Sequence, residues 1–165
     1  MNRHILSILV NNQPSVLSRV VGLFSRRGYN ISSLSVGVTE VEDKSRITVV
    51  LYCDDKDCEQ IRKQVDKLED VLRIVELSAD RGVFRELALI KVSVPPEKRS
   101  EVVSIANVFR ANIVDVGTET LTIEMTGESS KIEVFSELMQ PYGIKETVRT
   151  GLTGLCRGNN PIKKD

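Results

Sequence analysis

The chain has 165 residues, enough for one medium domain or two small ones. Its 23 basic and 23 acidic residues cancel without gathering in long blocks, which argues against nucleic acid or an anionic membrane as the main partner. Hydrophobic residues at 41% and charged residues at 28% are ordinary for a soluble globular protein. Aromatic residues reach only 4% and Trp is absent, so a base-stacking platform is poorly supplied. No run approaches the roughly 20 apolar residues of a membrane span, and MNRHILSILV is too short for the apolar core of a signal peptide. The three cysteines, Cys53, Cys58 and Cys156, are an odd number with no CxxC spacing and read as reduced thiols of a cytoplasmic protein.

In chain order, His4 to Val10 is a short apolar run bounded by the polar turn NNQP, the signature of a buried strand. Leu17, Val20, Val21 and Phe24 recur at helical spacing and mark a helix that ends before Gly28. From Ile31 to Thr39 the residues alternate, and after the turn EVEDKS so do Ile47, Val49 and Leu51, which predicts a hairpin. Cys58, Ile61, Val65 and Leu68 share one face of a second helix, which Asp54 or Asp55 is placed to cap. Val71 to Leu77 closes with another strand.

The polar stretch SADRG reads as a linker, and the pattern then restarts. Leu87 to Val94 is a strand stopped by Pro95 and Pro96, and Val102, Ile105, Ala106 and Phe109 mark a helix face. Ala111 to Val116 and Leu121 to Met125 read as strands. Ile132, Phe135, Leu138 and Met139 mark the second helix, and Ile144 to Val148 the last strand. The fold class is therefore α+β: two tandem ferredoxin-like βαββαβ domains, 1–78 and 84–165, joined by a linker at 79–83. Such a unit covers one face of its sheet with helices, so the other face and the edge strands call for a partner, and an oligomer is expected.

Catalytic chemistry is hard to find. His4 is the single histidine and reads as a surface or strand-edge residue. One His and scattered Cys make no metal site by spacing, and the acidic pairs Glu40/Glu42 and Asp54/Asp55 read as solvated turn residues. There is no GxSxG, HExxH or Walker pattern. A non-catalytic chain, with neither cofactor nor metal of its own, is expected. The segment RTGLTGLCRGNN follows the last strand with no helix behind it to receive an anion. It reads as a flexible glycine-rich tail, or as a docking segment that orders on a partner.

The best ligand site is the turn between the first strand and the first helix. Pro14 presets φ for a helix start, and Ser15 is placed as N-cap or first-turn residue. The backbone N–H groups around Ser15, Val16 and Leu17 lack intrahelical partners and, with the macrodipole, suit a carboxylate. Asn12 adds an amide oxygen that could accept from an ammonium group. Asn30, after Gly28 and Tyr29, is either a plain turn residue or part of a site.

The stretch HILSILVNNQPSVLSRVVGLFSRRGYNISSLSVG resembles the opening of the acetolactate synthase (acetohydroxyacid synthase) small subunit, whose first half is an ACT domain. SRITVVL, IRKQVDKLEDVLRIVEL, RELALIKV, FRANIVDV and RTGLTGLCRG extend the resemblance over nearly the whole chain. The resemblance implies an ACT-domain homodimer that binds a branched-chain amino acid, typically valine, between protomers. It also implies a large catalytic subunit, dependent on thiamine diphosphate with Mg and FAD, that the small subunit activates and makes sensitive to feedback. The implied effector site takes Asn12, Pro14, Ser15, Val16 and Leu17 from one protomer, and Asn30 and Ile31 from the other. The turn usually carries Gly in this family where this chain has Ser15. If the turn needs φ > 0, Ser15 is strained there, and a weakened or altered effector affinity follows. A stand-alone regulator built of two ACT domains is the other reading; RNA binding is disfavoured because the strands carry Ser, Val, Thr and Ile rather than aromatics.

Overall fold

A computed structural model of the chain describes residues 1–159 and 161–162. They form two compact units, one of residues 1–83 together with 152–159 and 161–162, the other of residues 84–151. Each is considered by itself.

The first unit runs β1 (Asn2–Asn11), α1 (Val16–Arg26), β2 (Ile31–Val38), β3 (Lys44–Cys53), α2 (Asp55–Val65) and β4 (Val71–Glu76). Its antiparallel sheet has the order β2-β3-β1-β4, leaving β2 and β4 at the edges. Along β1 the alternate residues Leu6, Ile8 and Val10 join Ile47, Val49 and Leu51 of β3 in one cluster. Val16, Val20 and Phe24 of α1 and Cys58, Ile61 and Val65 of α2 complete it. Fully burying each large apolar side chain contributes roughly 1.5–3 kcal/mol. This is the core that the helical and strand periodicities predict.

Gly28 ends the first helix at φ 71°, a left-handed conformation that costs glycine little. Its N–H donates to the Ser25 carbonyl and that of Tyr29 to the Phe24 carbonyl, so the chain reverses directly into β2. At α2 the N-cap is Asp54, in extended geometry but without a side-chain cap hydrogen bond.

The second unit repeats the plan with β5 (Gly82–Ser93), α3 (Arg99–Val108), β6 (Asn112–Val116), β7 (Thr120–Gly127), α4 (Ser129–Met139) and β8 (Ile144–Arg149), in the order β6-β7-β5-β8. Ala88, Ile90 and Val92 of β5 pack with Leu121, Ile123 and Met125 of β7 against Val102, Ala106, Ile132, Phe135 and Met139 of the helices. Phe109 meets Phe135 edge to face, with ring centroids 5.3 Å apart. Glu86 is buried at the start of the sheet, where both its carboxylate oxygens accept from Arg149, at 2.7 and 2.8 Å, and one accepts from Ser129 Oγ at 2.9 Å.

Two expectations need correction. The linker is shorter than 79–83, because β5 already begins at Gly82. The glycine-rich segment, from Leu152 to Asn159, is an ordered strap that groups with the first unit, not a flexible tail of the second. It contains β9 (Thr153–Cys156), and Arg157 N donates to the Arg81 carbonyl at 2.7 Å. Register places Ser33 and Ser35 of β2 beside Val50 and Thr48, on the sheet face away from the helices. There the Leu152 N–H donates to Ser33 Oγ at 2.7 Å, and Ser35 Oγ donates to the Leu152 carbonyl at 2.9 Å. Leu152 itself is buried. Composition alone reads glycine as freedom; the alternating serines satisfy the backbone that glycine leaves open.

Candidate ligand site at the first strand–helix turn

Where β1 ends, the backbone is pinned from both sides. Asn11 N donates to the Asp70 carbonyl at 2.9 Å and Asn12 N to the Asp43 carbonyl at 2.7 Å. The Asn12 side-chain amide donates to the Glu42 carbonyl at 3.1 Å, which leaves its oxygen as the free end. Pro14 and Ser15 are exposed, Val16 is anchored in the core and Leu17 is half-exposed.

Ser15 is the N-cap of α1 and lies at φ 69°, ψ −4°. An ordinary N-cap is extended and returns its side-chain oxygen to the helix; here the left-handed backbone comes with no side-chain cap hydrogen bond. Val16 N reaches the Gln13 carbonyl at 3.4 Å, and the N–H groups that follow it remain for a partner outside the helix. The first turn holds no acidic residue that would compete for that position. Beside the turn, Arg19 is ion-paired with Asp70 in a groove lined also by Gln13, Lys67 and Leu68.

Asn30 is exposed just before β2, and Ile31 pairs with Leu51. Asn11 pairs with Lys44 at the opposite end of the same strand β3. Seven residues of strand separate the two levels, roughly 23 Å at about 3.3 Å per residue. Asn12 and Asn30 of one chain therefore stand at opposite ends of the sheet, and the structure does not bring them together within a chain.

Sequence reasoning missed two features. One is the pair of serine hydroxyls that holds Leu152, whose only signal is Ser33 and Ser35 at alternating positions. The other is His4, expected at the surface but buried among the side chains of Cys53 and Cys58. Its hydrogen-bond partner Glu76 lies 72 residues away in sequence, so spacing could not reveal it.

Two ferredoxin-like units in tandem, the first with an ACT-type order of elements, define the class of fold. Residues 6–73 match the model of an AHAS small subunit-like ACT domain, and residues 85–158 that of the small subunit of acetolactate synthase. The probable acetolactate synthase small subunit of Archaeoglobus fulgidus is 50% identical over 157 residues, 95% of this chain and 98% of that protein. The acetolactate synthase small subunit of Bacillus subtilis is 46% identical over 157 residues, 94% of this chain and 91% of its own length. The crystal structure of the acetolactate synthase small subunit from Thermotoga maritima superposes with a TM-score of 0.90 at 40% identity, covering 97% of this chain and 100% of that one. The chain belongs to the acetolactate synthase small-subunit family.

Proposed function

We propose that this chain is the regulatory subunit of an acetolactate synthase, and that it makes a catalytic partner responsive to a branched-chain amino acid, valine foremost. The condensation of pyruvate with pyruvate or 2-oxobutyrate, and the thiamine diphosphate, Mg and FAD that serve it, belong to that large partner in the cytoplasm. Binding of this chain raises the partner's activity, and effector binding lowers it.

The observation that carries the reading is the placement of Asn12 and Asn30 at opposite ends of one sheet. Strand β2 is a sheet edge, and its Val36 and Val38 are exposed. Antiparallel pairing of β2 with β2 of a second copy, across a two-fold axis, covers those valines. It also sets Asn30 and Ile31 of each chain beside the Asn12 end of the other. The effector's carboxylate then meets the first-turn N–H groups of α1, and Asn12 with the opposing Asn30 receives its ammonium group. Two such sites arise in each dimer.

Ser15 tunes this site. Its positive φ is the backbone state that glycine adopts freely, and its Cβ and hydroxyl stand at the mouth of the helix N-terminus. Affinity for the effector is therefore lower than with glycine, while activation of the catalytic subunit is intact. Valine, leucine and isoleucine titrations of the reconstituted holoenzyme test this, with the Ser15→Gly variant alongside. The expected result is activation by both proteins and inhibition at several-fold lower valine with Ser15→Gly. Potent inhibition of the unaltered enzyme with no gain in the variant contradicts the role of Ser15. Failure of the chain to activate any thiamine-diphosphate enzyme contradicts the function.

A further inference from the structure

The antiparallel pairing of β1 with β3 sets Asn2 opposite Cys53 and His4 opposite Leu51, on the face that looks toward the helices. The chain leaves Cys53, enters α2 at Asp55 and turns Cys58 back into the same core. One donor atom each from His4, Cys53 and Cys58 thereby falls within 4.8 Å of the others, and all three residues are buried. We infer that His4, Cys53 and Cys58 bind one zinc ion, with a water in the fourth position on the solvent side.

The histidine is prepared for this role. Its Nδ1 lies 2.6 Å from Glu76 Oε1, and that hydrogen bond places the ring proton on Nδ1 and the lone pair on Nε2. A carboxylate behind the distal nitrogen is the usual support of a zinc-bound imidazole. Nε2 is buried and makes no hydrogen bond, although Asp55 Oδ1 stands 3.4 Å away. A buried ring nitrogen with no hydrogen bond and only a 3.4 Å contact to a carboxylate is uncommon, and a metal ion would satisfy it. Asp55 is largely exposed and stands on the solvent side of His4.

The donor set is selective. Two thiolates and an imidazole suit zinc, whereas magnesium and calcium require oxygen ligands. Zinc with two thiolates, a neutral imidazole and a water carries no net charge, which suits a buried place. Without a metal, burial pushes the Cys58 thiol up to about 12 and raises that of Cys53, so both are protonated. Binding then replaces two S–H bonds with two Zn–S bonds and releases two protons, with no change of oxidation state. Zinc–ligand lengths of about 2.0–2.3 Å set the donor atoms roughly 3.5–3.8 Å apart, so the side chains close by about 1 Å.

The test uses the full chain, reduced, stripped with a chelator and returned to equimolar zinc before gel filtration. The expected result is about one zinc per chain, a thermal midpoint that rises with zinc, and a thiolate-to-metal absorption band when cobalt(II) replaces zinc. The Cys53→Ala/Cys58→Ala double variant drops below about a tenth of an equivalent and loses the zinc-dependent rise, while Cys156→Ser retains both. Should the double variant fail to fold, zinc protection of Cys53 and Cys58 from alkylation in the unaltered protein, read by mass spectrometry, carries the same information. Less than about a tenth of an equivalent on the reduced unaltered chain, an undiminished content in the folded double variant, or no protection of the two thiols overturns the proposal. So does formation of a Cys53–Cys58 disulfide in place of zinc under reducing conditions.

Discussion

Ser15 holds a backbone conformation that its side chain opposes. A left-handed residue with a Cβ costs roughly 1–2 kcal/mol, and the greater freedom of glycine in the unfolded chain returns about 0.5–1 kcal/mol of that. Ser15→Gly is therefore expected to stabilise the first unit by about 0.5–1 kcal/mol, read as a higher urea midpoint at unchanged slope. A lower midpoint would show that the serine side chain supplies something the backbone angles do not. The thiols differ in a similarly local way. Burial raises the Cys58 thiol from 9.0 to about 12 and raises that of Cys53 as well, whereas Cys156 is only partly buried. At pH 8 the thiolate fraction of Cys58 is lower than that of an ordinary thiol by roughly three powers of ten. The native, metal-free chain is expected to titrate one thiol quickly with a disulfide reagent and all three only after unfolding.

The elements themselves were legible in the sequence because each buries a single face. Leu17, Val20 and Phe24, or Ile132, Phe135 and Met139, repeat at helical spacing, while Ile47, Val49 and Leu51 alternate. The two-fold repetition of βαββαβ followed from those periods. Not legible were the features made by long-range pairing. His4 carried no sign of burial, and the glycine-rich segment after Arg149 showed composition without its serine partners in β2. The buried carboxylate of Glu86 was equally silent. Arg149, 35% exposed at its side chain, is ion-paired with it, and their hydrogen bonding holds the arginine above its usual pKa range. Removing one member of a fully buried pair costs about 3–5 kcal/mol, and the exposure of the arginine reduces this to about 2–3 kcal/mol for Arg149→Leu. The double change Glu86→Leu/Arg149→Leu should recover much of the loss, and equilibrium unfolding of the three variants measures it. Equal destabilisation of single and double variants would remove the pair as the cause.

For the whole molecule, the candidate ligand site was visible in the sequence as a helix N-terminus with Asn12 beside it, but its geometry was not. Only the strand registers show that Asn12 and Asn30 stand at opposite ends of one sheet. A site that uses both therefore requires two chains, and in the proposed dimer the exposed valines of the β2 edge are the surface on which they would meet. In the proposed function regulation accordingly lies in the assembly: an effector bridging two copies would favour the dimer geometry it fits, and the catalytic partner would respond to that geometry. Mixing two defective variants measures the claim directly. Asn12→Ala and Asn30→Ala chains, each alone, should show no valine binding by calorimetry. Refolded together at equal amounts, half of the dimers are mixed and each mixed dimer regains one intact site, so binding returns at about a quarter of the unaltered stoichiometry. No recovery in the mixture, or full binding by either variant alone, would contradict a site shared between chains.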